Sequence, residues 1–282
     1  MKKSFLLMVF GLLLSVGSLS SQSWTNVGGY VSSAGVDYNS IAFDSYGGVY
    51  IAFMDYDNGY PSVQKYNGSA WASITPAGVF GDWGFYTSIA VAPNGEVYLA
   101  FQDWTHSGGL NVIKYNGSSW STVGEAYSLV SSATYCNIAI DPSGVPYVVY
   151  QESLSRASVV RFTGGAWQYV GGAGISDGFA SFTTISINSA GVPYIAYNDE
   201  SNDSKAIVKA FIGGVWTTVG GDPVSSSAAY YTSIKIAPNG DPYMYIETMP
   251  SRVESPSRNI LVEAGLTSAR RAFPPPASNT LQ

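Results

Sequence analysis

The chain has 282 residues, enough for one large domain or two small ones. Only 11% of them are charged, against roughly 25% in ordinary globular proteins, and Gly, Ser, Thr, Asn and Tyr fill the difference. The formal net charge is −6, with no basic cluster in the body, which argues against nucleic acid and anionic membranes as partners.

Residues 1–22 read as a signal peptide. Met1-Lys2-Lys3 is a basic start, Phe5 to Leu14 is an apolar run, and "SVGSLSSQS" supplies the small residues that signal peptidase needs. The run is too short to span a bilayer; a membrane anchor is the alternative. The expectation is export of a bacterial-type protein to the cell surface or beyond, the periplasm included. Cleavage falls between Ser18 and Ser23, with no membrane insertion afterwards.

Residues 23–248 are repeats. Trp24, Trp71, Trp120, Trp167 and Trp216 recur at spacings of 47, 49, 47 and 49 residues. Each opens a similar phrase: "WTNVGG", "WASITP", "WSTVGE", "WQYVGG", "WTTVGG". A second phrase starts at Tyr38, Tyr86, Tyr135, Phe182 and Tyr231, as in "YTSIAVAPNGEVYLAF". It holds two β-branched and aromatic runs around a glycine turn, a hairpin signal. "KYNGSSW" and its relatives give a second hairpin, in which Asn-Gly or Gly-Gly supplies the positive φ of a tight turn. The unit predicts four strands, A to D, exemplified by Ser88–Ala92, Val97–Gln102, Asn111–Tyr115 and Trp120–Val123. Four strands in about 48 residues mark the blade of an all-β propeller; a parallel β-helix is the alternative. The D strand at Trp24 has no A, B or C before it. It predicts five blades closed by that N-terminal strand, with Arg258–Gly265 as the fifth C strand. The alternative is a fragment of a six- or seven-bladed propeller.

Residues 249–282 differ: Tyr and Trp vanish, and four of the six arginines lie here. The segment reads as a divergent last-blade strand with a disordered Pro-rich end, or as the product of a truncated gene.

The body resembles small lectin-type propellers of tryptophan-bearing repeats, such as the tachylectin-2 type, from Trp24 to Ile246. The resemblance rests on repeat length and strand pattern and carries no ligand motif. The kelch order of Gly-Gly, Tyr and Trp is not reproduced. Turns such as "DPSGVPY" only echo an Asp-box, and with Arg156 and Arg161 alone in the body the triple-arginine clamp of sialidase-like propellers is missing.

Variable loops on a repeated scaffold are where binding resides, so the D–A and B–C connections carry the candidate site. An acidic residue ends strand B in four repeats: Asp55, Asp103, Glu152 and Asp199. The fifth has Thr248, after Glu247. These carboxylates either accept hydrogen bonds from sugar hydroxyls, or hold Ca²⁺ with backbone carbonyls, or tie up the N–H groups of their own loops. No cofactor motif supports the calcium reading. Trp83 and Trp104 lie outside the repeat position, on loops of one blade; with Tyr56, Tyr60 and Phe85 they form an aromatic patch suited to stacking on pyranose rings, or they pack their loops. Cys136, in "ATYCNIAID", reads as a buried small residue, and His106 as a solvated loop residue. No P-loop, G-x-S-x-G or Cys–His cluster occurs. The sequence therefore predicts non-catalytic binding of a glycan or a surface protein. A structural or adhesion module of a larger surface protein is the first alternative, and a propeller glycosidase or lyase the second.

Overall fold

The computed structural model describes residues 26–75, 83–248 and 260–263. Trp24, the signal-peptide segment and most of 249–282 lie outside the described residues. Each repeat folds as one antiparallel sheet, a blade, whose strands follow chain order from A to D. Blade 1 is β1 (Val36–Phe43), β2 (Val49–Asp55), β3 (Pro61–Tyr66) and β4 (Trp71–Ser73). Blade 2 is β5 (Gly84–Val91), β6 (Val97–Asp103), β7 (Gly109–Tyr115) and β8 (Trp120–Thr122). Blade 3 is β9 (Thr134–Ile140), β10 (Pro146–Gln151), β11 (Ala157–Thr163) and β12 (Ala166–Tyr169). Blade 4 is β13 (Ala180–Ile187), β14 (Pro193–Asp199), β15 (Lys205–Ile212) and β16 (Val215–Thr218). Blade 5 has three strands, β17 (Ala229–Ile236), β18 (Pro242–Thr248) and β19 (Ile260–Glu263). The last lies inside the predicted Arg258–Gly265 and pairs antiparallel with β18.

Successive side chains of a strand point to opposite faces of the sheet, so each inner strand meets two neighbouring blades. One apolar cluster fills each junction. Between blades 1 and 2, Tyr50, Ala52 and Val63 meet Ile89, Leu99 and Phe101. Between blades 3 and 4, Tyr147 and Val149 meet Ile185, Ile195 and Tyr197. The pattern recurs: a Tyr with Ala or Val on the following face of one blade, and large apolar residues on the leading face of the next.

The repeat tryptophans are latches between blades. Trp71 Nε1 donates to Val27 O at 2.9 Å, Trp120 to Ile74 O at 2.7 Å, Trp167 to Val123 O at 2.6 Å and Trp216 to Val170 O at 2.7 Å. Each indole packs 5.3–5.5 Å from a Tyr or Phe of its own strand C. The glycine after the accepting valine turns at positive φ beneath that pair. A Cβ on Gly124 (φ 61°) would stand 2.7 Å from Phe162, and one on Gly171 (φ 77°) would stand 2.6 Å from Trp216. The "W-x-x-V-G" phrase is thus the signature of a junction between blades.

Closure by the N-terminal strand is not seen among the described residues: Asn26 to Gly35 form no strand, and blade 5 has no fourth one. Among the described residues two faces are left open. Ile41 and Phe43 are exposed on the leading face of blade 1, and Tyr243 and Tyr245 on the following face of blade 5.

Candidate functional site

The strand-A starts and strand-B ends share one face of the ring, since Val36 pairs with Asp55, Gly84 with Asp103 and Ala180 with Asp199. The four carboxylates stand there one per blade, and each is engaged by a group of its own blade. Asp55 Oδ1 accepts from Asp57 N at 3.0 Å. Asp103 is buried and caps a one-turn 3₁₀ helix at Trp104–His106, with Oδ1 accepting from Thr105 N and Oδ2 from Asn111 Nδ2. Glu152 Oε2 accepts from Ser158 Oγ at 3.1 Å. Asp199 Oδ1, buried as well, accepts from the N–H and the hydroxyl of Ser201. For Asp55, Asp103 and Asp199 this is the turn-stabilising use of a short acidic side chain. Among the described residues no three His, Cys, Asp or Glu side chains converge where a metal could sit.

The off-repeat tryptophans do come together. Trp104 N donates to Trp83 O at 3.0 Å, and the two indoles are 51% and 46% exposed. Trp83 stacks on Phe85 with ring centres 6.0 Å apart and planes 16° apart. The loop of blade 1 that carries Tyr56 and Tyr60 lies against it: a Cβ on Gly59 would touch the Trp83 ring at 3.2 Å. Tyr56 and Tyr60 are both exposed. His106 is fixed rather than free in solvent, with Nδ1 2.9 Å from Asp103 Oδ2 and its ring stacked 3.7 Å over Tyr127.

A second aromatic feature was not singled out from the sequence. Tyr38, Tyr86, Tyr135, Phe182 and Tyr231 form a collar around a concavity of about 210 Å³ that all five blades share, and so lies on the axis. Successive rings are 4.6, 5.0, 4.9 and 4.8 Å apart. Each residue has φ between 50° and 54°, a conformation that costs any bulky residue and persists only where the surroundings enforce it. The enforcement is visible. The next residue in the chain reaches back to the collar carbonyl of the preceding blade: Thr87 to Tyr38 O, Cys136 Sγ to Tyr86 O at 2.9 Å, Thr183 Oγ1 to Tyr135 O at 2.6 Å and Thr232 Oγ1 to Phe182 O. Two residues further on, the backbone N–H of Ile89, Ile138, Ile185 and Ile234 donates to Ser40, Ser88, Asn137 and Thr184 of the preceding blade. The only sequence signal was the aromatic residue opening each "Y-x-S-I" phrase.

Cys136 therefore occupies a threonine position. It is buried, and burial pushes its thiol up to about 12, so it is no nucleophile. Cys136→Thr is expected to change stability by less than about 1 kcal/mol, whereas Cys136→Ala removes the donor and costs about 1–2 kcal/mol. Urea unfolding of the two variants checks this. Native Cys136 is also expected to resist iodoacetamide until the chain unfolds.

No family model matches the chain, and no curated protein matches it. Solved structures do. A lectin from Aleuria aurantia, in complex with Fucα1-6GlcNAc, is 18% identical with a TM-score of 0.56, over 74% of this chain and 71% of that one. A further structure of the Aleuria aurantia lectin is described as a six-bladed β-propeller; it is 20% identical, with a TM-score of 0.53, over 74% of this chain and 70% of that one. A Hadza microbial sialidase is 12% identical with a TM-score of 0.54, over 76% of this chain and half of that one. These likenesses show the β-propeller fold, and they support neither the narrower tachylectin-2 resemblance nor a count of five blades. The chain is an all-β propeller, built on a fold that lectins and a sialidase share.

Proposed function

We propose that this is an exported, non-catalytic binding protein that takes a glycan, at a cell surface or on a secreted partner, through the variable-loop face. The observation that carries the reading is the exposed pair Trp83 and Trp104, joined by a backbone hydrogen bond, with Phe85 stacked on Trp83. Indole faces stack on the C–H side of pyranose rings and add an N–H donor. The engagement of Asp55, Asp103, Glu152 and Asp199 by groups of their own blades supports binding over glycoside hydrolysis, which needs a pair of available carboxyls. Five blades closed by the strand at Trp24, the tachylectin-2-like form, is a narrower proposal on which the exposure of Ile41 bears directly. The open faces of blades 1 and 5 favour one second reading, a module of a larger surface protein.

The test is an immobilised-glycan screen of the full chain, followed by titration of the best ligand. Trp104→Ala is expected to weaken binding about threefold to tenfold, the worth of one stacked ring, with an unchanged melting temperature. Unaltered affinity in that variant overturns the assignment. Turnover of a glycoside by the wild-type chain, abolished by one carboxylate substitution, replaces binding with catalysis.

A further inference from the structure

The axial collar offers a ligand something different from the tryptophan patch. Its floor looks polar, but most of its polar side chains are already engaged; exposed Asn39 also lines it. Thr87, Cys136, Thr183 and Thr232 each donate to a collar carbonyl. Asn137 donates to Ser88 Oγ and accepts from Ile185 N, and Thr184 accepts from Ile234 N. What faces the concavity is aromatic. A sugar needs hydrogen-bond partners for its hydroxyls, and the floor has few left to give. No lysine or arginine lines the concavity. Neither carboxylate close to the collar in the chain lines it: Asp37, next to Tyr38, accepts from the Tyr56 hydroxyl, and Glu200 accepts from Ser181 Oγ beside Phe182 and, after burial, pushes the Tyr135 hydroxyl up.

Rings spaced 4.6–5.0 Å apart on a five- or six-membered circle have centres about 4–5 Å from its axis. That is inside the ~6 Å over which a cation is attracted by an aromatic ring. We propose that the collar binds a quaternary or N-methylated ammonium group, one per chain, held by several aromatic rings at once. Such a group carries charge without needing hydrogen bonds, which matches a floor whose donors are largely committed and a described lining without a cationic side chain. The inference does not rest on the glycan reading, because Trp83 and Trp104 stand outside the collar.

Choline titrated into the full chain by calorimetry is expected to bind once. Its neutral isostere, 3,3-dimethylbutan-1-ol, is expected to bind at least about fivefold more weakly, the cation's share of the attraction. Tyr135→Phe keeps choline affinity within about twofold, since Phe182 already serves as a collar ring; Tyr135→Leu loses at least about tenfold by removing a π face. Tyr135→Gly is the second variant: it removes the ring while relieving the left-handed backbone, so a folded chain without binding is the expected result. The proposal is overturned if choline gives no saturable heat, if the neutral isostere binds equally well, or if binding survives in Tyr135→Leu and Tyr135→Gly. Loss of choline binding in Trp104→Ala alone overturns it too, and places the cation at the tryptophan patch. Failure of the glycan screen leaves these outcomes untouched.

Discussion

Trp167→Ala is expected to destabilise the protein by about 3–5 kcal/mol, the usual cost of emptying a core aromatic site. Trp167 is 8% exposed and sits in the cluster that joins blades 2 and 3. Its indole N–H meets Val123 O at 2.6 Å, and Phe162 packs on it at 5.5 Å. Trp167→Phe keeps most of the apolar contact and leaves that carbonyl without its donor, so about 1–3 kcal/mol is expected. The same latch at Trp71 lies partly in solvent, next to the open face of blade 1. Trp71→Ala should therefore cost clearly less than Trp167→Ala. Urea midpoints of the three variants, at matched m-values, check the order. Equal costs for Trp71→Ala and Trp167→Ala would mean that the tryptophans act within their own blades and not between them.

The latch also shows why so much of the fold was legible. A junction copied along the chain writes its parts at one period: the tryptophan that donates, the valine that accepts, and the glycine that makes room. Strands B, C and D fell where the hairpin turns put them. Strand A began earlier than expected, at Gly84 rather than Ser88 in blade 2, because a register shift between Phe85 and Ser88 bends the chain through Tyr86 at positive φ. Nothing in the residue types announces a left-handed tyrosine, since Gly or Asn is the usual occupant. The collar was hidden for the same reason. Tyr38 and its counterparts look like ordinary strand residues until the ring brings them around one axis. Trp83 and Trp104 were legible because they break the repeat, and a side chain that the scaffold does not require stands out. The carboxylates were legible as positions but not as roles. Asp103 and Asp199 could equally have faced solvent; only their bonds to Thr105 and Ser201 show that the loop uses them.

Ile185→Ala is expected to cost about 2–5 kcal/mol, and Ile41→Ala under about 1 kcal/mol. The two residues hold the same place in the repeat, on the leading face of strand A, as do Ile89, Ile138 and Ile234. Ile185 is 2% exposed against blade 3, while Ile41 is 54% exposed, with no described strand packed on it. Val27 O already takes the Trp71 indole as Ile74 O takes Trp120, so the chain at Val27 sits where the outer strand of a preceding blade would end. If Trp24 continues that strand into blade 5, the ring closes and Ile41 is covered. The two isoleucines would then cost alike in thermal or urea unfolding. That closure has a particular difficulty. The following faces of blades 1 to 4 present Ala42, Ala90, Ala139 and Ser186 on strand A, and Ala52, Ala100, Val149 and Ala196 on strand B. Blade 5 has Lys235 and Tyr245 in those places. A closed five-bladed ring must press a lysine and an extra tyrosine against Ile41, where the other junctions use Ala, Ser or Val. A small cost for Ile41→Ala fits a face left open by that mismatch. A large one means that Lys235 and Tyr245 have found room, and that five blades suffice.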